Sequence, residues 1–207
     1  MNQVYQTVIF DFDGTIADTL PLSVELANRI ADELKRPHLG PLEQLRGMTA
    51  KQFISTLQLP LHKVFGYARR IQRELKENVE KIPTFPQMQD IIEALKAKNI
   101  RVGIISSNQK ATVEAFMNHN KLSFDFIHTE PSLFGKHHKI RRVLKKYSLK
   151  PAETLYVGDE IRDIEACNKL KLPMGAVSWG YNTSASLQAH FPTHFFGTPE
   201  SILRAVF

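Results

Sequence analysis

Residues 4–15 read VYQTVIFDFDGT, and this stretch decides the fold. Val4 to Phe10 is a short apolar, β-branched run that stops abruptly at Asp11. Such a run predicts a buried strand feeding a loop. Past it come two carboxylates two residues apart, Asp11 and Asp13, and then Gly14 and Thr15. Gly14 lets the chain turn sharply and turns amide N–H groups toward an anion. Two acids at one strand end suit two tasks. One attacks or holds a metal, and the other shuttles a proton.

Downstream of Pro86, strand and helix patterns alternate. Met88, Ile91, Ile92 and Leu95 follow helical spacing. Strands are expected at Ile100 to Ile105, Phe124 to His128, Thr154 to Val157 and Met174 to Ser178, with a last short one at Thr193 to Phe196. Helices fall between them, marked by residues 109–119, by Ile140, Val143, Leu144 and Tyr147, and by Ile164, Cys167 and Leu170. This alternation predicts an α/β fold, a Rossmann-like three-layer α/β/α core on a parallel sheet. Its core should include Val8, Ile9, Phe10, Ile104, Ile105, Leu155 and Val157.

Residues 18–83 read differently. Leu22, Leu26, Ile30 and Leu34 form one helical stripe. Leu42, Leu45, Phe53, Ile54 and Leu57 suggest a second helix, and Val64 to Ile82 a third. The segment is expected to be an inserted α-helical domain, closed by the stiff linker Pro83-Thr84-Phe85-Pro86. The core is then discontinuous, residues 1–17 and 84–207.

In open parallel sheets, ligands sit beyond the carboxyl ends of strands. Three expected strands end in Asp11, Ser106 and Asp159, which would meet at one edge. The Ser106 hydroxyl and the Ser107 amide, just before a helix, can bind a phosphate oxygen. Lys136, at a helix start, can face carboxylates and hold an anion, and Lys139 is its rival. Asp159 and Asp163 lie one turn apart on one helix face, and hard oxygen ligands of this kind suit magnesium. Glu160 is expected to face solvent. Adjacent His137 and His138 have no matching ligands nearby in sequence.

Together these elements resemble the haloacid dehalogenase superfamily across nearly the whole chain. The carriers are DFDGT at 11–15, Ser106, Lys136 and GDEIRD at 158–163, in that order. The helical insert is similar to that family's small cap, and the short span from Ser106 to Lys136 leaves no room for a larger one. Val177-Ser178-Trp179-Gly180-Tyr181 resembles the tail of phosphoglycolate phosphatase-like members. The resemblance implies a phosphatase in which Asp11 is the nucleophile and Asp13 the general acid and base. Ser106, Ser107 and Lys136 would bind the phosphoryl group. Magnesium would be held by Asp11, the main-chain carbonyl of Asp13, and Asp159, with Asp163 in support. Because Asp13 is present, phosphoryl transfer is favoured over carbon–halogen cleavage.

The cap would set the substrate, a small phosphorylated metabolite with phosphoglycolate as the first expectation. Arg46 or Lys51, near Gly47, would meet a second anionic group on it. Trp179 and Tyr181 pack at the entrance or the edge of the core. A phosphomutase of the same superfamily, and a non-catalytic binding protein, are the alternative readings.

Composition bounds the rest. The chain has 207 residues with 43% hydrophobic and 23% charged, ordinary for a globular domain. The single cysteine, Cys167, excludes an internal disulfide and a thiolate zinc site. No apolar run approaches the roughly 18 residues that a membrane span needs, and the N-terminus lacks signal-peptide features, so a cytoplasmic location is expected. The net charge of +6 is spread over short clusters such as Arg141-Arg142 and Lys145-Lys146. That pattern reads as solvated helix faces in preference to a nucleic-acid surface.

Overall fold

A computed structural model describes residues 5–48, 52, 55–130 and 135–207. Six parallel strands form one sheet: β1 (Thr7–Phe10), β2 (Arg101–Ser106), β3 (Phe126–Thr129), β4 (Thr154–Gly158), β5 (Met174–Val177) and β6 (His194–Phe196). Their order is β3-β2-β1-β4-β5-β6. The chain therefore reverses direction of growth between β1 and β4, which opens a crevice at the carboxyl edge there. Phe10 is level with Ile104 and Val157, so Asp11 emerges between the ends of β2 and β4.

Alternation along the central strands sends side chains to opposite faces. Val8 and Phe10 point one way, with Ile104, Leu155 and Val157. They meet α4 (Met88–Ala97), α5 (Lys110–His119) and α9 (Glu200–Val206) through residues such as Met88, Leu95, Phe116 and Ile202. Ile9, Ile105 and Tyr156 point the other way. They meet α6 (Lys136–Lys146), α7 (Ile161–Leu170) and α8 (Ser184–Gln188) through Ile140, Val143, Ile164 and Leu187. All seven expected core residues are fully buried, and the three-layer α/β/α architecture is as expected.

Between β1 and α4 lie α1 (Leu20–Glu33), α2 (Leu42–Leu45) and α3 (Leu61–Glu77). They share an apolar cluster of their own that includes Leu20, Val24, Ala27, Leu45 and Leu57. The buried carboxylate of Glu74 on α3 is held by Arg29 and Arg70, and Arg70 also forks onto Glu33. This network clamps α3 to α1. The two crossings to the sheet pair with each other: Asp18 N–H donates to the Pro83 carbonyl at 3.0 Å, and Phe85 N–H to the Ile16 carbonyl at 3.0 Å.

Several boundaries differ from expectation. Leu34 caps α1 and is 41% exposed, because the helix stops before the stripe reaches it. The second helix breaks after Leu45, where Gly47 takes a left-handed φ of 92°. Phe53 and Ile54 lie outside the described residues. Before Pro83 the chain tightens into a 3-10 turn, Val79–Lys81, in place of continued α-helix. The expected stiff linker carries an antiparallel bridge between Thr84 and Ala17. Among the described residues, no helix is long and apolar enough to cross a membrane.

Two glycines test this packing in opposite directions. A β-carbon at Gly103 would fall 2.1 Å from the Phe126 ring, which is stacked on Tyr147 and has no room to retreat. Gly103→Ala is expected to cost about 1–3 kcal/mol. Gly66, exposed within α3, has nothing within 4 Å of such a carbon. Gly66→Ala is expected to add about 1 kcal/mol. Urea unfolding midpoints of both variants check the pair.

Candidate active site

Asp11 follows β1 directly, its N–H bonded to the Val157 carbonyl at 2.8 Å. One carboxylate oxygen, Oδ1, accepts the Phe12 N–H at 2.8 Å, and Oδ2 accepts the Lys136 ammonium at 2.5 Å. Lys136 is the first residue of α6, with its side chain only 7% exposed. The same ammonium pairs with Asp163 on α7 and lies 5.5 Å from the centre of the Tyr156 ring. Burial works to lower the Lys136 pKa, but Asp11 and Asp163 outweigh it and hold the ammonium above its usual range.

Asp159 follows β4. Its Oδ1 accepts the Thr15 hydroxyl at 2.8 Å and its Oδ2 accepts the Tyr181 N–H at 2.7 Å. Carboxylate oxygens of Asp11, Asp159 and Asp163 all lie within 4.8 Å of one another, and all three residues are buried. Burial, and then the charges of Glu160, Asp11 and Asp163, push Asp159 well above the ordinary carboxylate range. Burial, opposed by Lys136, leaves Asp163 at about 6. One ammonium does not neutralise three close carboxylates. The donor set, all hard oxygen, fits a divalent cation.

Gly14 turns the chain between these groups, with φ at +77°; a β-carbon there would strike the Asp159 carboxylate at 2.2 Å. The Asp13 carboxylate accepts the Thr19 hydroxyl at 2.9 Å and the Asn108 side-chain amide at 3.2 Å. Burial and the nearby Asp11 raise Asp13 to about 6, while the bonds from Thr19 and Asn108 pull it back. Across the crevice, buried Ser106 ends β2, and its Oγ accepts the Asn108 N–H at 2.9 Å. The chain folds so that four separate segments converge on one edge of the sheet.

A family model for haloacid dehalogenase-like hydrolases matches residues 8–177, a span that holds the whole carboxylate cluster. The chain belongs to this hydrolase family. The hydrolase is 31% identical over 205 residues to a phosphoglycolate phosphatase of Synechococcus elongatus, covering 97% of each chain. It is 22% identical to the pyrophosphatase PpaX of Oceanobacillus iheyensis, covering 97% of this chain and 96% of that one. A haloacid dehalogenase-like hydrolase from Streptococcus pneumoniae has the same fold, with a TM-score of 0.84, 20% identity and 99% of each chain covered.

The two lysines of the hydrolase have different neighbours. Lys136 touches Asp11 and Asp163, whereas Lys139 donates to the Ser107 hydroxyl at 3.2 Å and the Glu130 carbonyl at 2.5 Å. Burial, and then the Lys136 charge, lower Lys139 to about 8. Glu160 does not face solvent as expected; it caps α7 and pairs with Arg162 at 2.5 Å. Arg46 is exposed at the end of α2, where its charge acts on Asp18. Lys51 lies outside the described residues. His137 and His138 lie against each other, with ring centres 4.0 Å apart. Cys167 is buried, and burial pushes its thiol up.

Sequence spacing passed over Thr19 and Asn108, and gave the motif residue Thr15 no role of its own. Thr19 stands at the N-cap of α1, yet its hydroxyl makes no capping bond. Asn108 precedes the N-cap of α5; its side-chain oxygen accepts the Gln109 N–H at 2.8 Å and its amide reaches Asp13. Neither signal is visible without the fold.

Asp13 and Asp163 sit near 6 against an ordinary 3.8, so the folded metal-free hydrolase binds more protons than the unfolded chain between these values. Its stability is expected to fall as pH rises through that window. A divalent cation should restore stability above the window and add little below it. Melting temperatures with chelator and with added cation, at about pH 3.5 and about pH 7, check both signs.

Proposed function

We propose that this hydrolase is a magnesium-dependent phosphomonoesterase of small organophosphates, working through a phospho-aspartate on Asp11. One observation carries the reading. The Asp11 carboxylate is bonded at 2.5 Å to a buried lysine, within a cluster of three buried carboxylates at the switch point of a parallel sheet.

In this reading an Asp11 carboxylate oxygen attacks phosphorus in line, and the bond from phosphorus to the leaving oxygen breaks. Lys136 pairs with Asp11 and offsets charge on the phosphoryl oxygens. The Ser106 hydroxyl and Ser107 N–H bind those oxygens at the edge of the crevice. Asp13 gives its proton to the leaving alkoxide. It then takes a proton from the water that attacks the acyl phosphate, which frees phosphate and restores Asp11. A carboxyl near 6 is suited to both directions of transfer at neutral pH. Asp11, the Asp13 carbonyl and Asp159 would hold magnesium, with Asp163 in support, and the ion when bound supplies charge neutralisation at the phosphoryl group. Phosphoryl transfer needs little beyond this positioning and charge.

Residues 18–83 would act as the cap, limiting water and the size of the substrate. Phosphoglycolate and pyrophosphate both belong in the substrate panel, given the names of the relatives. Arg46 and Lys51 are the candidates for a second anionic group on the substrate.

The test is phosphate release from phosphoglycolate, pyrophosphate, sugar phosphates and an aryl phosphate, with magnesium or chelator. Turnover is expected only with the metal. Asp11→Asn should abolish it, and Asp13→Asn should lower kcat by about 10²–10⁴. Release that persists in Asp11→Asn, or none from any ester by folded protein, overturns the reading.

A further inference from the structure

The loop after β5 makes contacts that the proposed chemistry does not use. The Trp179 indole N–H donates to the Thr15 carbonyl at 3.2 Å. Gly180 lies so close to Asp159 that a β-carbon would sit 2.2 Å from that side chain. Tyr181 then meets three parts of the molecule. Its N–H donates to Asp159 at 2.7 Å. Its carbonyl accepts the Gly47 N–H, from the turn after α2, at 2.9 Å. Its hydroxyl lies 2.7 Å from the Thr19 hydroxyl.

The direction of that last bond follows from counting protons. Thr19 has a single hydroxyl proton, and it goes to Asp13 at 2.9 Å. Tyr181 is therefore the donor, and a one-way chain runs from Tyr181 through Thr19 to the Asp13 carboxylate. The Thr19 oxygen thus accepts from Tyr181 and from no helix N–H, so α1 has no side-chain cap. The Tyr181 ring lies over the Asp13-Gly14 turn, 2.9 Å from where a Gly14 β-carbon would be. It also packs against the apolar cluster of α1 and α2.

We infer that Tyr181 is a positioning residue. Its hydroxyl, acting through Thr19, fixes the Asp13 carboxylate for proton transfer, and its main chain ties Asp159 to the helical insert at Gly47. The inference rests on the phosphatase reading above. Asp13 acts on the leaving oxygen, so an error in its placement is felt in the transition state and not in substrate binding.

The experiment is steady-state phosphate release by wild type, Tyr181→Phe, Thr19→Val, Thr19→Ser and the Tyr181→Phe/Thr19→Val double variant, with urea unfolding of each. Tyr181→Phe is expected to lower kcat about tenfold, the effect of losing one hydrogen bond of ordinary net strength, with KM unchanged. Thr19→Val should lose at least as much, and Thr19→Ser should retain most of the wild-type kcat. The double variant should be no slower than Thr19→Val alone, because Tyr181 acts only through Thr19.

Wild-type kcat in Tyr181→Phe overturns the inference. So does a loss confined to KM, which would make Tyr181 a substrate contact. So does a lowered unfolding midpoint with kcat intact, the mark of a structural role. Losses that multiply in the double variant overturn the chain through Thr19. If Thr19→Val fails to fold, the split between kcat and KM in Tyr181→Phe decides alone. A wild type that releases no phosphate overturns the phosphatase reading as well, which separates that failure from one in which only Tyr181 is dispensable.

Discussion

The ammonium of Lys136, buried between Asp11 and Asp163, is the interaction on which the rest of the site depends. It joins the end of β1 to the first turns of α6 and α7, three segments far apart in the chain. Taking three carboxylates out of water is costly unless cations and hydrogen bonds compensate. Here Lys136 supplies one charge. Thr15, Phe12 and the main chain at Glu160 and Tyr181 supply donors. What remains is an excess of negative charge at a sheet edge, an arrangement that favours function over stability. Burial, and then the neighbouring carboxylates, shift Asp159 and Asp163 upward.

The sheet makes this convergence possible. Placing β1 between β2 and β4 brings the loops after all three strands into one crevice. Each loop contributes a different chemistry. Asp11 and Asp13 come from the first, hydroxyl and amide groups at Ser106 to Asn108 from the second, and Asp159 from the third. The helices on either face carry the apolar cost of folding, so the loops are free to hold polar groups. Lys139, a second buried lysine one turn from Lys136, supports the Ser107 loop from behind.

The helical insert is tied to this edge at two kinds of contact. One is the paired crossing at Ile16 to Asp18 and Pro83 to Phe85, where main-chain bonds set where the insert leaves the sheet. The other is the Gly47 N–H on the Tyr181 carbonyl, with Gly47 held at positive φ. A glycine allows that turn, and a side chain would be strained there. Tyr181 is thus bonded to the insert and to the carboxylate cluster at once, which gives the two a mechanical connection through a single residue.

The sequence alone determined the strand pattern, the three-layer core and the chemistry-bearing residues at strand ends. These are local signals. Apolar β-branched runs that end in Asp, and helical spacing such as that of Met88 to Leu95, reflect burial that each segment needs wherever it lies. Helix ends in the insert were less legible. At Leu34 and Gly47 the stop is set by packing and by one backbone angle, not by the apolar pattern. Only the tertiary structure decided that Lys136 and not Lys139 reaches Asp11, since both are buried on the same helix one turn apart. Only it showed the Thr19 hydroxyl and the Asn108 amide donating to Asp13, and Tyr181 reaching back to both Asp159 and Gly47. The physical reason is range. A strand or helix declares itself within a few residues, whereas a hydrogen bond across 95 or 162 positions exists only once the sheet has brought its ends together.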